Sequence, residues 1–300
     1  MQLVFDALSL GSLYALVALG IGLLFGVVKV VNFAYGDLIT VGAYSLIVPS
    51  LQSHAQLYVG DFPWPLVVVI VTLVVTSVAL ICDLAIFRPL RSADGATIMI
   101  ATFALGYFIQ NTILIGYGGL PRIVNMWPLL TSTTDFFGAR VPQLQLLTII
   151  LTACLLAIFV VFLRYTALGL EIRAAAENFP MARAMGIRAG RVTTIAIVMS
   201  AFLAALVSLI LTVQTSVIGY RMGAPLMVFG FIATIIGGMG SLLGAVVGGL
   251  AVGVLTVVAQ TLLPEPLRGF RDALVYFLIF AFLVVKPRGL ITSAQGGERV

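Results

Sequence analysis

Arg164 to Arg191 reads RYTALGLEIRAAAENFPMARAMGIRAGR, the one long polar segment in a 300-residue chain otherwise made of apolar runs joined by short connections. That contrast defines an all-α, polytopic transmembrane helix bundle with one helical loop outside the bilayer. The loop carries Arg164, Arg173, Arg183, Arg188 and Arg191, and the bias of Lys and Arg towards cytoplasmic loops places it inside the cell. Ala174 to Met185 consists largely of good helix formers, and Gly186 follows as a C-terminal stop. A short helix between two spans suits docking of a soluble partner; a basic loop that only sets topology is the alternative reading.

Composition agrees with the membrane assignment. Hydrophobic residues make up 61% of the chain and charged residues 9%, with a mean hydropathy of +1.19. Soluble domains carry roughly a quarter charged residues. Apolar runs recur along the whole length, so residues 1–300 read as one transmembrane domain with the polar loop 164–191 as its appendage. The net charge of +5 resides mainly in Arg beside span ends, an orientation signal and not a nucleic-acid footprint. Cys82 and Cys154 sit in separate apolar runs and His54 stands alone, a pattern that offers no metal site.

Nine apolar segments follow one another: Val4–Val28, Phe33–Leu51, Leu66–Phe87, Ala96–Ile115, Leu144–Leu163, Val192–Val213, Ala224–Ile236, a run ending near Leu262, and Ala273–Val285. The seventh is about half a spanning length and is either a crossing or re-entrant, giving nine or eight spans. Nine places the amino terminus outside and the carboxyl terminus in the cytoplasm. Lys29, Arg88, Arg91, the loop arginines, Lys286, Arg288 and Arg299 then face inward, against Arg122, Arg140, Arg221, Arg268 and Arg271 outside.

Three groups of residues stand out. Asn32 to Asp37, NFAYGD, places a carboxylate inside an apolar stretch, where it costs at least about 2.5 kcal/mol at mid-bilayer. Asn32, Tyr35, Gly36 and Asp37 either line or gate a pathway, or Asp37 complements a helix N-terminus and pairs with Lys29 while Asn32 caps the break. Gln110 and Asn111 lie in the fourth segment as further pathway candidates or as interhelical hydrogen-bond partners. Gly237 and Gly238 break the backbone after the short seventh segment, which lipid tolerates only where protein or a cavity surrounds it. Gly240, Gly244 and Gly248 follow at spacing four, with Gly249 and Gly253 on an adjoining face, the pattern of close helix packing. Asp83 is set to pair with Arg88.

With lysine only at 29 and 286, no phosphate-binding loop ending in Gly-Lys exists, so the chain hydrolyses no nucleotide in that way. The succession GLLFGVVKVVNFAYGDLITVGAY, IFRPLRS, IATFALGYFIQN, LGLEIRAAAENFPMARAMGIRAGRV and FIATIIGGMGSLLGAVVGGLAVGVL resembles the H-type permeases of branched-chain amino acid ABC importers. The resemblance implies a bacterial inner-membrane transport subunit that is not an enzyme and binds no cofactor. Its partners would be an M-type permease, two cytoplasmic ATPases that hold ATP and Mg, and a periplasmic solute-binding protein. It also implies a coupling helix from Glu177 to Ile187, with Glu177, Asn178, Ala182, Met185, Gly186 and Ile187 meeting an ATPase. Similar permeases serve urea, short amides and small carboxylates, and an autonomous channel or secondary transporter is the rival class. Where many relatives carry His and Glu in the first motif, this chain has Tyr35 and Asp37.

Overall fold

The computed structural model describes residues 2–49, 55–90, 93–127, 130, 132–136, 139–177, 179–238, 240–286 and 289–290. Eleven helices are named among them. They are α1 Gln2–Val28, α2 Tyr35–Tyr44, α3 Trp64–Cys82, α4 Gly95–Tyr117, α5 Gln143–Tyr165, α6 Ala167–Glu177, α7 Phe179–Ala184, α8 Ala189–Thr215, α9 Gly223–Gly237, α10 Leu242–Leu262 and α11 Arg271–Val285. Six of these regions are long and apolar enough to span a bilayer: α1, α3 with the π-turn Asp83–Phe87 that continues it, α4, α5, α8 and α10. Sheet is confined to two-stranded pieces, β1 Arg122–Ile123 with β4 Val217–Ile218 and the hairpin β2 Thr133–Phe136 with β3 Ala139–Pro142.

Contacts at the helix ends define two faces. On one, β1 pairs with β4, the Ala55 amide donates to the Ile123 carbonyl, and Gln145 at the start of α5 donates to Asp6 at the start of α1. On the other, Val27 clusters with Leu163, Ile172, Ala175, Ala182 and Val192, Thr194 donates to Asp83, and the Leu290 amide donates to the Ile236 carbonyl. Traced between these faces, the described chain makes nine passages. The seventh, α9, lies beside α1 from Tyr14 to Gly22 and ends against α10 and Leu290, so it crosses and does not re-enter.

The second passage differs from the sequence expectation of a full span over Phe33–Leu51. Only Tyr35–Tyr44 is helical, about 15 Å long against a hydrocarbon core of about 30 Å. Residues 29–34 enter the bundle without helix, starting from Lys29 at φ 60°. Protein groups take up the freed backbone, as burial in lipid requires. The Lys29 amide donates to the Phe25 carbonyl, Phe33 donates to Thr102 Oγ1 on α4, and Ala34 donates to the Asn32 side chain.

The core is α1, surrounded by α8, α9 and α10. In α1 89% of the most apolar stretch is buried and in α8 72%, against 28% in each of α3, α4 and α5, which form the periphery. Small residues make the core possible. A Cβ added at Gly249 or Gly253 of α10 would overlap backbone atoms of Ala15 or Gly11 on α1, and one at Gly248 would overlap the Ala233 carbonyl of α9. Helices associating in lipid gain no hydrophobic term from each other, so backbone-to-backbone contact supplies the dispersion energy. Ser200 donating to the Gly20 carbonyl and Thr234 donating to the Ala18 carbonyl tie α8 and α9 to α1.

Candidate functional site

The break before α2 brings together residues distant in sequence. Asp37 lies in the first turn of α2, only 4% exposed, where its charge complements the helix N-terminus. Gln110 Nε2 on α4 donates to its Oδ1 at 2.9 Å. The carboxylate rests on Gly106, where any Cβ would overlap it. The partner is therefore Gln110, and no ion pair joins Asp37 to Lys29 among the described residues. Asn111, the neighbouring candidate, turns away and donates to the Tyr107 carbonyl of its own helix.

Tyr35 points the opposite way from Asp37, towards α1. Its hydroxyl packs on Gly20, whose carbonyl accepts from Ser200. Asn32 makes the turn into α2 and, with Ser200, Leu24, Cys82 and Ile197, borders a cavity of ≈ 10 Å³, about one water in size. Gly36 meets the first turn of α9: the Gly223 amide donates to Thr40 Oγ1 at 3.1 Å, and a Cβ on either glycine would strike the other's carbonyl. The N-terminal ends of the two short helices thus touch inside the bundle, beside a carboxylate–amide pair and a small, mostly apolar cavity that Asn32 and Ser200 border. Thr40, Thr102 and Gly106 escaped sequence reading, since a lone Thr or Gly in an apolar run carries no local signal of its partner.

The second break behaves as its glycines require. Gly237 ends α9, Gly238 takes φ 106° and Gly240 takes φ 96°, and Gly237 and Gly238 are buried against protein. Gly244 and Gly248 pack on α9. Gly240, grouped with them by spacing, is a turn residue that no neighbour approaches within 4 Å.

The polar loop departs furthest from expectation. Helix is described over Ala167–Glu177 (α6) and Phe179–Ala184 (α7), a pair called the elbow below, so the helix expected to run on to Ile187 ends at Ala184. Glu177 ends the first helix instead of beginning the second, and Asn178 lies outside the described residues. Pro180 is the second residue of α7, a first-turn position where its missing amide costs nothing. Thr166 Oγ1 accepts from the Gly169 amide and so caps α6, which starts earlier than propensity alone places it. Ala182, expected to meet a partner, is 2% exposed and joins the cluster of Val27, Leu163, Ile172 and Ala175; Ile187 packs partly against the same cluster. Gly186, at φ 88°, turns the chain out of α7. The elbow's outward apolar residues include Leu170 on α6, Met185, at 69% exposure, and Met181, which sequence reading passed over although it lies one helical turn before Met185.

Two arginines complete the picture. Arg88 Nε donates to the wholly buried Asp83 at 3.0 Å, holding the π-turn at the end of α3, as the spacing anticipated. Arg122, buried on the opposite face, donates to the Tyr117 carbonyl, a cation at the C-terminus of α4.

Buried broken helices, a membrane-embedded carboxylate and an elbow held outside the bundle define a multi-pass α-helical membrane protein of the permease class. The chain belongs to the family described as branched-chain amino acid transport system / permease component, whose model matches residues 3–285. It is 28% identical to the high-affinity branched-chain amino acid transport system permease protein LivH of Salmonella typhimurium, over 97% of this chain and 95% of that protein. It is 24% identical to the corresponding BraD of Pseudomonas aeruginosa over the same shares, and 26% identical to a probable LivH of Methanocaldococcus jannaschii over 95% and 90%.

Proposed function

We propose that this chain is a membrane-spanning subunit of an ABC importer that moves branched-chain or related amino acids into the cytoplasm. The work comes from ATP, with its Mg, hydrolysed on two partner subunits, and the chain performs no chemistry on the solute. The observation that carries this reading is the α6–α7 elbow: it is fastened to the bundle by Ile172, Ala175 and Ala182 and presents Met181 and Met185 to solvent. A rigid, apolar-tipped projection transmits a push from a soluble motor, and an autonomous channel has no use for one. The family-wide match over nearly the whole chain supports the same reading.

In this reading the elbow face is cytoplasmic and the protein lies in the bacterial inner membrane with its amino terminus outside. Lys29, Arg88, Arg164, Arg173, Arg188, Arg191 and Lys286 lie towards the elbow face, in keeping with the distribution of basic residues in membrane proteins; Arg91, Arg288 and Arg299 lie outside the described residues. An M-type permease completes the pathway and a periplasmic binding protein delivers solute. Asn32, Asp37 and Gln110, where α2 meets α4, and the break at Gly237–Gly238 are the parts that would rearrange as access alternates, because the backbone leaves helical geometry at 29–34 and at Gly238 beside them. The test is to purify the complex and measure leucine uptake into vesicles with and without internal ATP. Uptake that needs both ATP and the ATPase subunits is expected; equal uptake by the chain alone would overturn the proposal.

A further inference from the structure

The helices α3 and α5 diverge over α8 and leave a groove that the rest of the bundle does not fill. Its floor is one stripe of α8, Thr194, Ile195, Val198, Met199 and Phe202, residues whose spacing places them on a single helical face. In the membrane the groove is a pocket of ≈ 320 Å³ walled by Thr72 and Thr76 of α3 and by Ile158, Phe159 and Phe162 of α5. One turn along the same face of α8, towards the elbow face, lies a second pocket of ≈ 400 Å³, lined by Arg88, Gly190, Arg191, Thr194 and Ile195. Cationic lining in one pocket and apolar lining in the other thus lie in succession along one helix.

We propose that this groove binds an anionic phospholipid, its phosphate between Arg88 and Arg191 and one acyl chain along α8. The dimensions fit. From Arg191 to Phe202 the helix rises about 16 Å, and one leaflet of a bilayer is about 15 Å deep in hydrocarbon. The charge fits as well. Arg88 gives its Nε to Asp83, which offsets one positive charge, so its Nη groups and the whole of Arg191 remain for a ligand. Gly190, at the second position of α8, exposes a backbone amide with no intrahelical acceptor and no side chain to screen it, a further donor for a phosphate oxygen. A zwitterionic lipid would bring a choline cation along with its phosphate and so leave this basic mouth with no net counter-charge. The assignment to the inner leaflet rests on the orientation given above; the binding itself does not.

The full-length chain in detergent, titrated with phosphatidylglycerol or phosphatidylcholine and read by native mass spectrometry, tests the proposal. Phosphatidylglycerol should be retained more tightly. Arg191→Gln should weaken its retention roughly five-fold, the effect of one cationic side chain at a lipid surface, while Arg268→Gln on the opposite face changes nothing. Val198→Trp should fill the groove and displace both lipids. Equal retention of the two lipids, or equal effects of the two arginine variants, would overturn it. So would displacement of phosphatidylglycerol by inorganic phosphate, or efficient cross-linking of Thr76→Cys to a partner permease, which would make the groove a protein interface. Labelling of Arg191→Cys by an impermeant thiol reagent from outside the cell would overturn only the leaflet.

Discussion

The seam between α1 and α10 and the groove between α3 and α5 are built from helices of similar character, yet one is closed backbone to backbone and the other stands open. If anything, α3 and α5 are the more apolar pair. Hydropathy alone therefore does not decide which helices close in this protein. The seam has Gly11, Ala15, Gly249 and Gly253 where the helices approach, and the groove has Ile158, Phe159, Phe162 and Phe202. In a bilayer a bulky apolar side chain is as content against lipid as against a neighbour, so only small residues let dispersion draw two backbones together.

Substitutions along this contrast should fall in a clear order. The largest effect is expected from Gly249→Leu or Gly253→Leu, whose side chains would occupy the backbone of Ala15 or Gly11. Overpacking of this kind costs about 1–3 kcal/mol or more. The folded protein should vanish from the monodisperse peak in size-exclusion chromatography, and an unchanged profile would show that the seam adjusts.

Gln110→Leu comes next, because it removes the hydrogen-bond partner of the buried Asp37 at a cost of about 1–3 kcal/mol. Asp37→Asn, which preserves the size of the side chain and an acceptor for Gln110, should cost less. Thermal melting of both variants beside Asn111→Leu, which leaves Asp37 and Gln110 paired, gives the comparison. Equal losses from Gln110→Leu and Asn111→Leu would remove any special standing from the pair.

At the elbow the expected effects divide by face. Met185→Glu and Met181→Glu should leave melting within about 0.5 kcal/mol of the parent while reducing ATPase association. Ala182→Glu should destabilise the fold itself, since its carboxylate would enter the cluster around Val27. Co-purification and melting, measured together, distinguish the two outcomes.

The smallest change expected is a gain. Gly26 lies in α1, on the same helix as the seam, but no atom comes within 4 Å of a Cβ placed there. Gly26→Ala should raise stability by about 0.5–1 kcal/mol through helix propensity, visible as a modest rise in melting temperature. A loss would show that some glycines of α1 are needed for reasons other than close approach.

Much of the architecture was legible in residue order. The long apolar runs, the glycine spacing in α10, the Asp83–Arg88 pair and the stop at Gly186 are local features, set by residues within a turn or two of each other. What escaped reading was non-local. Ala182 faces the cluster around Val27, and a sum of helix propensities over Ala174 to Met185 does not say which face is covered. Asp37 and Gln110 are 73 positions apart, and neither residue encodes its distance from the other.

From sequence alone came the membrane environment, the helical class, the polar loop between the fifth and sixth apolar runs, and the resemblance that the family match later established. The first three follow from composition and periodicity, because lipid rejects charge and unsatisfied backbone whatever the fold; the resemblance rests on the order of particular motifs. Tertiary structure decided that the second passage holds only ten helical residues, that α9 crosses, that Ala182 faces inward and Met181 outward, and that α3 and α5 part over α8. Each of those depends on which surface lies opposite. A helix of Leu, Val, Ile and Phe fits lipid and protein equally well, and only a neighbour close enough to make contact distinguishes the two.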